Sequence, residues 1–60
     1  MSNDIVENAS IMADEFINGD IRKVIIYLQA ITKREVLVFV DQLSIRIGYT
    51  AAIHKTYDLL

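Results

Sequence analysis

Apolar residues recur at intervals of three and four along almost the whole chain, the spacing of one face of an α-helix. In the first segment they form a single stripe opposite a polar face, and that stripe comprises Ile5, Ala9, Met12, Ala13 and Phe16. The repeated period predicts an all-α domain over residues 1–60, with four short helices or three and a short tail. The predicted helices cover residues 4–17, 21–31, 33–47 and 51–60.

Residues that end and begin helices stand between the first two segments. Ser2, Asn3 or Asp4 can cap the first helix. Asn18 and Gly19 tolerate the left-handed backbone that closes a helix, and Asp20 is placed to cap the next one.

Similar signals bound the third and fourth helices. Thr32 and Glu35 have the spacing of a capping box, in which each side chain accepts a hydrogen bond from the backbone N–H of the other. Gly48 is a natural stop for the third helix, and Thr50 is predicted to cap the fourth. The residues of the fourth helix that are predicted to share one apolar face are Ile53, Tyr57 and Leu60. The sequence therefore predicts tight turns between antiparallel or steeply crossed helices.

The sequence leaves two alternatives open for the third helix. The run of β-branched and aromatic residues at 36–40 also suits a short buried strand. The capping box and the later spacing of Leu43 and Ile47 favour a helix there. The third helix could also continue through Gly48 with a kink.

The second and third helices are apolar on more than one side. Their main stripes are Ile21, Val24, Ile25, Leu28 and Ile31, and then Val36, Phe39, Val40, Leu43 and Ile47. So short a chain cannot bury a second apolar surface by itself. The pattern predicts a homodimer or a docked partner, with helix 1 as an outer cover and helices 2 and 3 as a shared centre. The candidate interface residues are Ile26, Ala30, Leu37, Val38, Ile45 and Tyr49.

Composition and charge restrict the kinds of protein that this sequence can encode. Cysteine is absent, which excludes disulfides and thiolate metal sites and leaves oligomerisation to stabilise a small core. Residues 1–20 are acidic and residues 21–34 are basic, which favours solvated charged faces. The alternative is that the acidic first helix lies beside the basic ends of the second, within one subunit or across a dimer. No apolar run approaches the ~20 residues of a membrane span, and the start of the chain lacks a signal peptide's basic region. These features predict a cytoplasmic protein with no membrane association.

Candidate chemistry is sparse. His54 is the only histidine; Asp58, four residues on, is placed to orient its ring, but no nucleophile accompanies it. Asp14 and Glu15 are adjacent, so their side chains diverge on a helix. We therefore expect no enzymatic activity, no metal and no cofactor. An alternative is a small transcriptional or nucleic-acid regulator with a helix-turn-helix over residues 36–58, although exposed base-reading side chains are few and nucleic acid is a weak expectation.

The motif Phe16-Ile17-Asn18-Gly19-Asp20, followed by Val24 and Leu28 and by an aromatic last helix from Tyr57 to Leu60, resembles small phage-encoded helical accessory proteins. That group includes anti-activators of quorum sensing, helical homodimers that bind and inhibit host regulators. The resemblance implies a phage protein that acts in the cytoplasm of the host cell. It implies a homodimer and a host protein as partners, and no chemistry of its own.

Overall fold

Four helices make up the computed structural model, which describes the backbone of residues 2–60 and the side chains of residues 4–60. No strand occurs in that part of the chain, so residues 36–40 are helical, as the capping box and spacing favoured. The predicted bounds hold within two residues at every end. The helices are α1 (Ser2–Ile17), α2 (Ile21–Ala30), α3 (Lys33–Ile47) and α4 (Tyr49–Leu59).

The turn between α1 and α2 is a Schellman motif. Gly19 has φ +95° and is the residue in the left-handed region, whereas Asn18 is not. The Gly19 N–H donates to the Phe16 carbonyl at 3.1 Å and the Asp20 N–H donates to the Glu15 carbonyl at 2.9 Å. These two bonds satisfy carbonyls that the end of a helix leaves free.

The predicted cap of α2 is wrong in its mechanism. Asp20 occupies the N-cap position, but its side chain makes no capping hydrogen bond. Its carboxylate instead lies 3.7 Å from the Lys23 ammonium, which is also 3.8 Å from Glu15. The acidic end of α1 therefore lies beside one basic residue of α2, in line with the alternative to fully solvated faces.

The capping box at α3 is half confirmed. The Glu35 N–H donates to the Thr32 hydroxyl at 3.4 Å. The return bond differs from the prediction, because the Glu35 carboxylate accepts from the Thr32 hydroxyl at 3.1 Å rather than from its backbone N–H. Thr32 has extended backbone angles, as an N-cap residue requires.

A single residue, Gly48, separates α3 from α4. Its φ of +93° and ψ of 153° end α3, and its N–H donates to the Ser44 carbonyl at 2.9 Å. The predicted cap at Thr50 is wrong, because α4 already begins at Tyr49 and its N-cap is Gly48, with no side-chain cap. Asp4 likewise lies within α1, and the side chains of Ser2 and Asn3 fall outside the described residues.

The core is centred on α3. This helix packs against α1 on one side and α4 on another, and α1 also packs against α2. Helix 1 is therefore not an outer cover of an α2–α3 centre, because the fully buried Ala9 and Ala13 let α1 approach its neighbours closely. The core residues are Ala9, Ala13, Val24, Leu28, Val36, Phe39, Val40, Leu43 and Ala52.

Arg46 ties α3 to α1 through its whole guanidinium group. Its Nε donates to the Asp14 carboxylate at 2.6 Å, and its Nη2 donates to the Ser10 hydroxyl at 2.8 Å. Its Nη1 donates to the Gln42 backbone carbonyl at 2.7 Å. The Arg46 side chain is 22% exposed and that of Asp14 is 59% exposed, so water partly screens this ion pair, and the bonds to Ser10 and Gln42 hold the guanidinium in place. The sequence pattern did not single out Arg46.

The buried face of α4 differs from the predicted one. Ile53, Tyr57 and Leu60 were expected to share the core face, but Tyr57 and Leu60 are 58% and 59% exposed. Ala52 and Thr56, one turn apart, are the fully buried residues of this helix. The Thr56 hydroxyl has no hydrogen-bond partner among the described residues.

Replacing Thr56 by valine is expected to raise the free energy of unfolding by about 1 kcal/mol, because it removes an unpaired buried hydroxyl and keeps the side chain's shape. Urea denaturation followed by far-UV circular dichroism measures the change. The control is Thr50→Val at an exposed position of the same helix, where we expect less than about 0.5 kcal/mol. Destabilisation by Thr56→Val would mean that the hydroxyl has a partner.

Candidate functional site

An apolar groove of about 530 Å³ lies where the end of α2, the start of α3 and the end of α4 meet. Its walls are mainly hydrocarbon, with one charged side chain and one tyrosine. Such a groove is a place where a complementary apolar surface can be buried. The lining residues are Leu28, Ile31, Lys33, Val36, Leu37, Tyr57 and Leu60.

The groove combines a buried floor with an exposed rim. Leu28 and Val36 are 3% and 8% exposed and belong to the core. Leu37, Tyr57 and Leu60 are each about 60% exposed and stand around them. The rim therefore keeps large apolar area in water, which burial against a partner would remove at a gain of roughly 25 cal/mol per Å².

Local sequence explains why the three helix ends meet. Ile31 has extended backbone angles, φ −103° and ψ 166°, and Thr32 continues that conformation into the cap of α3. These two residues turn the chain and leave the Ile31 side chain beside the first turn of α3. The chain reversal at Gly48 then carries the last turn of α4 back to the same end of the bundle.

Charge around the groove is split along α3. Lys33 lines the groove and Arg34 is exposed beside it, whereas Asp41 is exposed one turn beyond Leu37. The ion pairs described for residues 4–60 involve Lys23 and Arg46 and none of these three residues. The outer face of α3 therefore carries free charges of opposite sign on the two sides of Leu37.

Only one of the six predicted interface residues lines the groove. Val38 is partly buried against the core, so only part of its side chain is free to contact a partner. The other five are exposed, but only Leu37 lines the groove. These exposed residues are Ile26, Ala30, Leu37, Ile45 and Tyr49.

Sequence reasoning assigned most groove residues to the core. Leu28, Ile31 and Val36 belonged to main stripes, and Tyr57 and Leu60 were given to the core face of the last helix. Helical spacing places residues on a face but does not say where helix ends leave that face uncovered. The sequence did contain one indication of the groove, because the capping box predicted a turn between α2 and α3, next to Ile31 and Lys33.

Tyr27, Asp14 and Glu15 are titratable side chains that take part in packing or ion pairs. Tyr27 packs against Phe39, with ring centroids 5.9 Å apart, and burial, together with the negative charge of Glu35, raises the pKa of its phenol above 10.0. Asp14 bonds Arg46 while its neighbour Glu15 lies near Lys23, so the two carboxylates diverge as predicted.

The remaining candidate features are exposed or absent from the described chain. His54 is exposed on α4, and the described hydrogen bonds do not join it to Asp58. Within the described residues, no three His, Cys, Asp or Glu side chains cluster as metal ligands. None of the helices described is both long and apolar enough to pass through a lipid bilayer.

Two of the six basic residues already pair with carboxylates, which leaves a sparse set for a nucleic-acid surface. The α3–Gly48–α4 unit has the order of a helix-turn-helix. No described contact favours the nucleic-acid alternative over the groove as the functional site.

Comparisons with protein-family models, with curated proteins and with solved structures found no match to this chain. The resemblance to phage accessory proteins therefore stays a prediction, and the functional argument depends on the groove and the exposed apolar residues.

Proposed function

We propose that this chain is a small non-enzymatic phage protein that binds a host protein and inhibits or modulates it through the surface of a helical homodimer. The apolar groove with its exposed rim carries the proposal. Leu37, Tyr57 and Leu60 hold large side chains in water around a buried floor. The phage origin and the host target come only from the resemblance carried by residues 16–20, by Val24 and Leu28, and by residues 57–60.

Small size supports the homodimer. A 60-residue chain without cysteine has a small core and no disulfide to stabilise it. Contact with a second copy buries additional apolar surface. The exposed large apolar residues are numerous for such a chain and are found on all four helices. They are Ile5, Val6, Ile11, Ile17, Ile26, Leu37, Ile45, Tyr49, Tyr57 and Leu60.

Target binding needs apolar surface that dimerisation leaves free. Ile26 on the outside of α2 and Tyr49 at the α3–α4 corner are each more than 60% exposed and do not line the groove. We assign these two residues to the target surface. An inhibitor of this kind acts by occupying a surface of its target, so it needs no catalytic group.

Sedimentation equilibrium tests the homodimer. We expect twice the 6.8 kDa monomer mass at micromolar concentration and a shift to monomer with Leu37→Glu. Val38→Glu is not a suitable probe, because that side chain packs against the core. A monomer mass for the wild-type chain up to millimolar concentration would remove the homodimer.

A tagged wild-type chain tests the host target. We expect it to retain a host protein that also binds saturably when purified and whose activity falls on binding. Ile26→Ser with Tyr49→Ser should abolish this binding without changing the dimer mass. If instead the chain shifts duplex DNA in a salt-sensitive way, the nucleic-acid alternative is favoured.

A further inference from the structure

The outer face of α3 carries an ordered charge pattern around one apolar residue. Lys33 and Arg34 lie one turn before Leu37, and Asp41 lies one turn after it. All four residues are exposed, and the ion pairs described for residues 4–60 include none of them. The helix therefore presents positive charge, a leucine at the groove, and negative charge in that order.

This order is complementary to itself in one orientation only. In a two-fold interface the same patch serves on both copies, so each contact occurs twice. When two α3 helices lie antiparallel with the axis at Leu37, a residue four positions before it faces the residue four positions after it. Lys33 of each copy then faces Asp41 of the other, and Arg34 adds positive charge next to it, whereas parallel helices would place like charges together.

We infer that a second copy of this chain covers the groove, with the two α3 helices antiparallel across a two-fold axis at Leu37. This inference rests on the proposed homodimer and assigns its face and orientation. The groove lies beside Leu37, so the same contact brings the exposed side chains of Tyr57 and Leu60 toward the partner copy. The charges fix the register, while the apolar rim supplies the buried area.

Complementary charge reversals test the arrangement. One variant carries Lys33→Glu with Arg34→Glu, and the other carries Asp41→Lys. Each variant alone places like charges at both contacts, so its dissociation constant should rise about tenfold or more. Mixed in equal amounts, the two variants should form a heterodimer about as tight as the wild-type dimer, because both contacts again join opposite charges.

Native mass spectrometry separates the two homodimers from the heterodimer, and sedimentation equilibrium gives the dissociation constants. Far-UV circular dichroism checks that each variant is folded. Glutamates at positions 33 and 34 lie in the first turn of α3, where negative charge suits the helix dipole. A matched control carries Arg22→Glu and Lys55→Glu, at exposed positions on other helices, and should dimerise as the wild type does.

The outcomes separate this inference from the proposed function. If the wild type is a dimer and both reversals leave its dissociation constant unchanged, α3 is not the interface and the homodimer stands on another face. If each reversal weakens the homodimer but mixing gives no heterodimer, the antiparallel register is wrong. A monomeric wild type overturns both the inference and the homodimer.

Discussion

Replacing Leu43 by alanine is expected to unfold a large fraction of the protein. Leu43 is fully buried in α3, the helix that packs against both α1 and α4. Removing a leucine side chain from a core costs about 2–5 kcal/mol, since transfer energy is lost and a cavity remains. A core of this size rarely supplies more than about 3–5 kcal/mol, so the loss approaches the whole stability of the chain.

Leu37→Ala is the matched control, because it makes the same change in the same helix at a residue that is 60% exposed. Urea denaturation at several chain concentrations distinguishes the two positions. Leu43→Ala should lower the unfolding midpoint at every concentration, whereas Leu37→Ala should reduce the rise of the midpoint with concentration that dimerisation causes. Equal losses from both variants at low concentration would contradict the assignment of Leu43 to the core and Leu37 to the surface.

The two leucines also show how far the sequence predicts this fold. Helical spacing placed Leu43 on the core stripe of α3 and Leu37 on a second face, and their exposed fractions confirm both positions. Val38 was placed on the same second face but is partly buried against the core, because the neighbouring helices decide how much of a residue between two faces is exposed. Periodicity along one helix carries no information about those neighbours.

Helix order in space was the least predictable feature. Helix 1 has a single clean stripe, which suggested an outer position, yet Ala9 and Ala13 are fully buried and α1 contacts both α2 and α3. Alanines add little to a hydrophobic pattern, but their small size permits close packing. The Arg46 bonds to Asp14 and Ser10 join residues more than thirty positions apart, and no local signal marks such a pair.

The groove was predictable only in part for the same reason. Leu37 was identified because it belongs to a second apolar stripe of helix 3, which so short a chain cannot bury by itself. Tyr57 and Leu60 were placed on the core face of the last helix, whereas the structure buries Thr56 there. The rotation of α4 about its axis depends on the backbone conformation of Gly48, the one residue that joins it to α3. No sequence pattern in so short a connection predicts that rotation.

Substitution of Gly48, the residue that connects α3 to α4, is expected to have the second large effect on stability. Gly48 has φ +93° and ψ 153°, a region of backbone conformation that is essentially restricted to glycine. Nothing lies within 4 Å of a Cβ added there, so backbone strain alone opposes a side chain. We expect Gly48→Ala to lower the free energy of unfolding by about 1–3 kcal/mol, and Gly48→Val to fall at the upper end because it is β-branched.

Thermal and urea denaturation measure this loss, and Thr50→Ala supplies the control two residues away. If Thr50 capped α4, its replacement would cost about 0.5–2 kcal/mol. Because Gly48 occupies the cap position instead, we expect Thr50→Ala to cost no more than about 0.5 kcal/mol. A Gly48→Val protein as stable as the wild type would show that α3 and α4 do not need this reversal. The groove, which depends on α4 returning to the start of α3, would then lose its structural basis.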